Sequence, residues 1–69
     1  MPLSMVEMGA IVEVKRITGN EEIRKHLTAL GFVAGEKIVV ISKIGGNMIV
    51  NVKDSRIALD ESLARRIMV

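Results

Sequence analysis

The sequence contains no cysteine, no tryptophan and no tyrosine, and Phe32 is its one aromatic residue. Without cysteine there is no disulfide framework, and a small chain that lacks one points to a reducing compartment. Without Trp or Tyr, the aromatic grooves that take proline-rich peptides cannot be built. The same lack removes the stacking platforms on which single-stranded nucleic acid is held. No apolar run approaches the roughly 18 residues that span a bilayer. The opening MPLSMVEMGAIVEVKR has no basic stretch before its apolar part, unlike a signal peptide. These absences lead to the expectation of a soluble cytoplasmic protein without membrane insertion.

What remains is strongly aliphatic. Of 69 residues, 49% are hydrophobic, so the core must be made of Val, Ile, Leu and Met. That is too apolar for disorder. A chain of this length forms one domain, residues 1–69, and buries only about 60% of its unfolded surface. So much apolar content in so thin a core predicts leftover apolar surface for a partner. Ten basic and eight acidic residues give a net charge of +2, too weak to argue for nucleic acid.

Residues 10–17, AIVEVKRI, alternate with Val12 and Val14 on one side and Glu13 and Lys15 on the other. This predicts a strand, bulged near Arg16 because Ile17 falls out of phase. Over about residues 20–30 the period changes. Ile23, Leu27 and Leu30 recur at i, i+4 and i+7, the stripe of an amphipathic helix. Two caps fit its start: Thr18 with Glu21 in a capping box, or Asn20 alone. Gly31 suits a left-handed stop, with Phe32 folding back on Leu27. Further on, KIVVISKI (37–44), MIVNV (48–52) and RIAL (56–59) read as strands. Turns at GGN and KDS separate them. Asp60 suits the cap of a short helical turn near 60–66, and IMV closes as a last strand. About five short strands and one inserted helix predict a mainly β, strongly bent small barrel, because so short a chain cannot leave its sheet edges open.

Two hairpin registers compete around Gly45–Asn47. A two-residue loop pairs Lys43 with Met48, Ile41 with Val50 and Val39 with Val52. A three-residue loop pairs Ile44 with Met48, Ser42 with Val50 and Val40 with Val52. The first puts Lys43 on the most apolar face, so the second is preferred, since a slip of one residue exchanges the faces. It turns Val39, Ile41 and Ile49 outward.

Reactive chemistry is sparse. His26 is the one histidine and lies at the edge of the helical stripe, so a metal site is not expected. Glu21–Glu22 and Asp60–Glu61 open helices, where carboxylates serve capping and the dipole. No G-x-S-x-G elbow and no phosphate-loop lysine occur. No enzymatic activity and no cofactor are expected. Arg65–Arg66, with Lys53 and Arg56, could make a modest basic patch. Among the methionines, Met8, Met48 and Met68 read as core fillers, and Met5 lies in a segment that could cross the barrel or touch a partner.

The ordered set MPLSMVEMG, VKRITG, LTALGFVAGEKIVVISK, a glycine turn and IVNVKDSRIALDESLARRIMV resembles the ferrous iron transport protein A family, FeoA. The resemblance covers nearly the whole chain. It implies an SH3-like β-barrel with an inserted helix. It also implies a cytoplasmic accessory role beside a membrane ferrous-iron transporter that carries a GTPase domain. The same module closes iron- or manganese-dependent repressors, but no helix-turn-helix part is present here. Ala34 stands where the family often has proline, and the KIGGN loop is shorter than usual.

The function expected from this is protein docking. The contact residues expected are the exposed helix positions Arg24, Lys25 and Thr28, and the outward sheet positions Val39, Ile41 and Ile49. The alternative is a self-associating or nucleic-acid-binding barrel unrelated to transport. Homo-oligomerisation is left open under either reading.

Overall fold

Val14 is the corner of the molecule. It is 1% exposed, its N–H donates to Glu36 O at 2.9 Å, and its own carbonyl accepts from Gly35 N at 2.8 Å. On either side of it the chain belongs to different sheets. In this computed structural model, which describes residues 1–69, β1 (Ile11–Glu13) pairs antiparallel with β3 (Lys37–Ile44). Beyond the corner, β2 (Arg16–Ile17) pairs antiparallel with β6 (Ile67–Met68). The single bulged strand expected over 10–17 is therefore two strands. Ile17 falls out of phase because it faces the core from the second sheet, opposite Ile67. Switching sheets through a bend is how orthogonally packed sheets make corners.

The larger sheet has the order β1-β3-β4-β5, with β4 at Asn47–Val52 and β5 at Ser55–Leu59. The smaller holds β2 and β6, and Pro2 bridges to Met68 on the far side of β6. With the corner split, the strands number six rather than about five. A 3-10 turn, Leu3–Met5, carries the chain over the barrel and buries Leu3 completely.

Helix α1 spans Glu21–Ala29. Asn20 caps it, its Oδ1 accepting from Ile23 N at 2.8 Å. Thr18 takes no part, because its hydroxyl donates to Arg66 O at 3.2 Å. At the far end Gly31 has φ +109°, Phe32 N donates to Leu27 O at 3.1 Å and Gly31 N to Thr28 O at 3.0 Å. Those two bonds form the Schellman pattern and satisfy carbonyls that the helix leaves open. Phe32 enters the core at that point, fully buried. Short α2, Glu61–Ala64, is capped by Asp60, whose Oδ1 accepts from Leu63 N at 2.9 Å.

The β3–β4 hairpin takes the first, disfavoured register at its tip and neither expected register beyond it. Its tip has the two-residue loop Gly45–Gly46, with Ile44 opposite Asn47 and Lys43 opposite Met48. A bulge at Ile41 then shifts the pairing, so Val40 faces Val50, Val39 faces Asn51 and Ile38 faces Val52. The extra residue keeps Val40, Met48, Val50 and Val52 on the buried side without placing Ile44 there; Ile44 is 68% exposed. Lys43 tolerates its position at the barrel mouth because its ammonium finds carbonyl partners in the 3-10 turn.

The core is one cluster of 14 hydrophobic residues drawn from both sheets, both helices and the N-terminal segment. No buried side-chain polar atom lacks a partner. Met48 belongs to the core and Met68 is half-buried, but Met8 is 61% exposed, against the expectation for it. It lies just ahead of Gly9, whose N–H donates to Val40 O at 2.7 Å, and the strand edge there leaves no interior to enter.

Candidate docking surface

The outward side of the four-stranded sheet is apolar where β1, β3 and β4 run together. Ile11 stands opposite Val39, and Ile49 stands opposite Ser42 beside the bulge at Ile41. Ile11 is 68% and Ile41 36% exposed, while Val39 and Ile49 are half-buried. Side chains at alternate positions share a face, so Val39, Ile41 and Ile49 form a strip with Ile11. The N-terminal segment adds exposed Met5 and Met8 alongside β3, and Ile44 stands exposed at the hairpin end. Sequence reasoning found the three middle members. It missed Ile11, the outward partner of Val39, because β1 had no register until its pairing with β3 was known.

The helix residues Arg24, Lys25 and Thr28 are exposed as expected. Lys25 Nζ lies 3.3 Å from Glu21 Oε1 across one helical turn. The structure does not bring this set together with the sheet set. Helix α1 turns Leu27 into the core, and the sheet strip faces away from that core. His26 is on the solvent side of the helix. Two shallow clefts of about 170 Å³ are present. One lies among Met1, Lys15, Arg16, Met68 and Val69, and the other among Ser4, Lys43, the Gly45–Met48 turn and Glu61. No three His, Asp or Glu side chains are grouped as metal ligands. Asp60 is the one group with a displaced acidity. The Ser62 hydroxyl, donating to Asp60 Oδ1 at 2.7 Å, and the Leu63 N–H hold its carboxyl below the usual range. These are capping bonds, and they explain the shift without a catalytic role.

The basic side chains are arranged differently from the expectation. Lys53 and Arg56 sit at the β4–β5 hairpin, with Lys53 3.7 Å from Glu36. Arg65 and Arg66 lie instead beside the β2–β6 pair, where Arg66 O accepts from Thr18 N at 2.7 Å.

The profile of the FeoA domain matches residues 1–69, the whole chain. The chain belongs to the FeoA family. A Methanocaldococcus jannaschii protein that carries the name Fe(2+) transport protein A is 35% identical over 68 residues, covering 99% of this chain and 83% of its own length. Among solved structures, an iron uptake regulatory protein, FeoA, is 34% identical with a TM-score of 0.90, covering 99% of this chain and 90% of its own. Stenotrophomonas maltophilia FeoA, a prokaryotic SH3 domain protein solved with zinc, is 32% identical with a TM-score of 0.89. It covers 100% of this chain and 88% of its own length. The FeoA chain thus has the SH3-like fold that its sequence resemblance implied. A manganese-dependent transcriptional repressor shares the fold at 17% identity and a TM-score of 0.89, with this chain spanning 39% of it. No helix of this FeoA chain is long and apolar enough to cross a membrane.

Proposed function

We propose that this chain is a non-enzymatic accessory protein of ferrous iron uptake. In this reading it works in the cytoplasm and docks on the GTPase-bearing region of a membrane ferrous-iron transporter. The strip Ile11–Val39–Ile41–Ile49 is the observation that supports the reading. Its members stand outward although the barrel already closes over a complete core of 14 residues. Apolar side chains that the core does not need, held rigid on a sheet, suit a protein contact. Family membership and the relative's ferrous-iron name support transport as the setting. The exposed helix positions Arg24, Lys25 and Thr28 form a second, polar contact set on a separate element.

Retention of this chain by the soluble GTPase domain of such a transporter, measured by calorimetry, tests the reading. The Ile41→Ser and Ile11→Ser double variant should keep its fold, as judged by circular dichroism, and lose at least tenfold in affinity. Undiminished binding by that variant would reject the sheet strip as the contact. Complete absence of binding by the parent chain would reject the partner.

A further inference from the structure

The other sheet carries the opposite chemistry on its outer face. In the β2–β6 pair, Ile17 and Ile67 point to the core, so Arg16 and Met68, its neighbours in register, point outward. Thr18 bonded to Arg66 continues the ladder by one position, which returns Arg66 to the same outward face as Arg16. Lys15 flanks Arg16 in the cleft with Met1, Met68 and Val69, and exposed Arg65 adjoins Arg66 at the end of α2. None of these four cations is in an ion pair; the two ion pairs of the molecule join Lys25 to Glu21 and Lys53 to Glu36. No Asp or Glu occurs in 14–20 or 62–69, the segments that build this face. Four of the ten basic side chains are gathered here, leaving six to face eight carboxylates elsewhere.

We propose that the outer face of the β2–β6 ribbon, with Lys15, Arg16, Arg65 and Arg66, rests on the anionic headgroups of a lipid surface. The inference does not depend on the sheet strip or on its protein partner. Charge complementarity is its basis, and the character of the face selects the occupant. Its apolar components are flexible thioethers, with Met1 60% exposed and Met68 half-buried. Its hydroxyls are already committed, that of Thr18 to Arg66 O and that of Ser62 to Asp60 Oδ1. A face that offers mainly charge and aliphatic stems, with its hydroxyls already bonded within the fold, suits a diffuse anionic layer. It has no aromatic for base stacking and no Gln, and its one Asn, Asn20, spends its Oδ1 on capping α1, which disfavours nucleic acid. Binding would be peripheral and salt-sensitive, orienting the domain without insertion.

Co-sedimentation of the full chain with phosphatidylcholine vesicles, with and without phosphatidylglycerol, tests this. Binding should require phosphatidylglycerol and fall as salt is raised. The Lys15→Ala and Arg65→Ala double variant should lose roughly 25-fold in partitioning, about fivefold for each cation brought to the surface. The Lys15→Arg and Arg65→Lys variant should retain it. The Arg24→Ala and Lys25→Ala variant, with the same change in net charge on the helix, should lose less than about threefold. No phosphatidylglycerol-dependent binding at low salt would overturn the proposal. So would equal losses in the ribbon and helix variants, or tighter binding to duplex DNA or polyglutamate than to the vesicles.

Discussion

Lys43 Nζ donates to the carbonyl oxygen of Ser4 at 3.0 Å, and also to that of Val6 at 3.3 Å. A strand of the main sheet is thereby tied to the 3-10 turn that closes the barrel mouth, across 39 residues of sequence. The lysine compensates for carbonyls that a turn this short cannot satisfy internally. Lys43→Met keeps most of the stem and removes both bonds. It should lower stability by about 1 kcal/mol, the usual net value of such a bond. Hydrogen exchange at residues 3–6 should accelerate more than exchange in β4. Uniform acceleration across the chain would mean that Lys43 does not hold the turn.

Gly31 lets the chain leave α1 and deliver Phe32 to the core at once. A Cβ there would have room, meeting Lys53 Cδ at 3.5 Å and Val52 Cγ1 at 3.9 Å, so crowding is not the obstacle. The obstacle is φ +109°, which a residue with Cβ adopts only with strain. Gly31→Ala should cost about 1–2 kcal/mol, read as a fall in the denaturant midpoint at constant slope. A cost below about 0.3 kcal/mol would show that the helix end shifts to avoid the strain.

These two sites mark what a sequence can and cannot disclose. Gly31 was legible because its signal is local: a periodic apolar stripe stops, and the next residue can take positive φ. The Asn20 and Asp60 caps and the presence of a glycine turn after Ile44 share that character, although choosing Asn20 over Thr18 required knowing that Arg66 O claims the Thr18 hydroxyl, and the alternation favours a three-residue turn where the structure has two. The bulge at Ile41 was hidden because its cause is remote. Sequence alternation disfavoured Lys43 opposite Met48, and only the distant Ser4 and Val6 carbonyls make that position acceptable. The corner at Val14 was hidden in the same way, since Glu36 and Met68 take up the bonds on its two sides. The candidate surfaces followed suit. Val39, Ile41 and Ile49 could be read from one strand pair, whereas Ile11 and the clustering of Lys15–Arg16 with Arg65–Arg66 required the topology.

Asp60 gives the fold a specific acid response. Its carboxyl is held below the ordinary value of 3.8 by the Ser62 hydroxyl and the Leu63 N–H, bonds absent from the unfolded chain. A depressed folded-state value means that the ionised form favours folding. That contribution is fully present above 3.8 and disappears as pH falls through the lower folded value. Asp60→Asn keeps an acceptor for the cap but cannot titrate. The stability difference between parent and variant should therefore be flat from pH 7 to about 5 and shrink only below the unfolded-state value. A difference that changed near neutrality would implicate another group.

The β4–β5 hairpin turns through Lys53 and Asp54, with φ of +50° and +62°. Two consecutive positive φ values between Val52 and Ser55 define a type I′ turn, which favours Asn-Gly over Lys-Asp. Here the native residues work against the local geometry, and the five residue pairs of the β4–β5 register hold them there. Asp54 makes no ion pair, so its replacement removes little. Lys53 does reach Glu36, at 3.7 Å with both side chains partly exposed, a contact worth at most about 1 kcal/mol. Asp54→Gly is therefore the cleaner change. It should stabilise the domain by about 1 kcal/mol, or roughly 4–8 °C in Tm for a domain of this size. Lys53→Asn should gain less, because it relieves the same strain while losing the ion pair. If Asp54→Gly lowered Tm instead, the added freedom of glycine in the unfolded chain would outweigh the relieved strain.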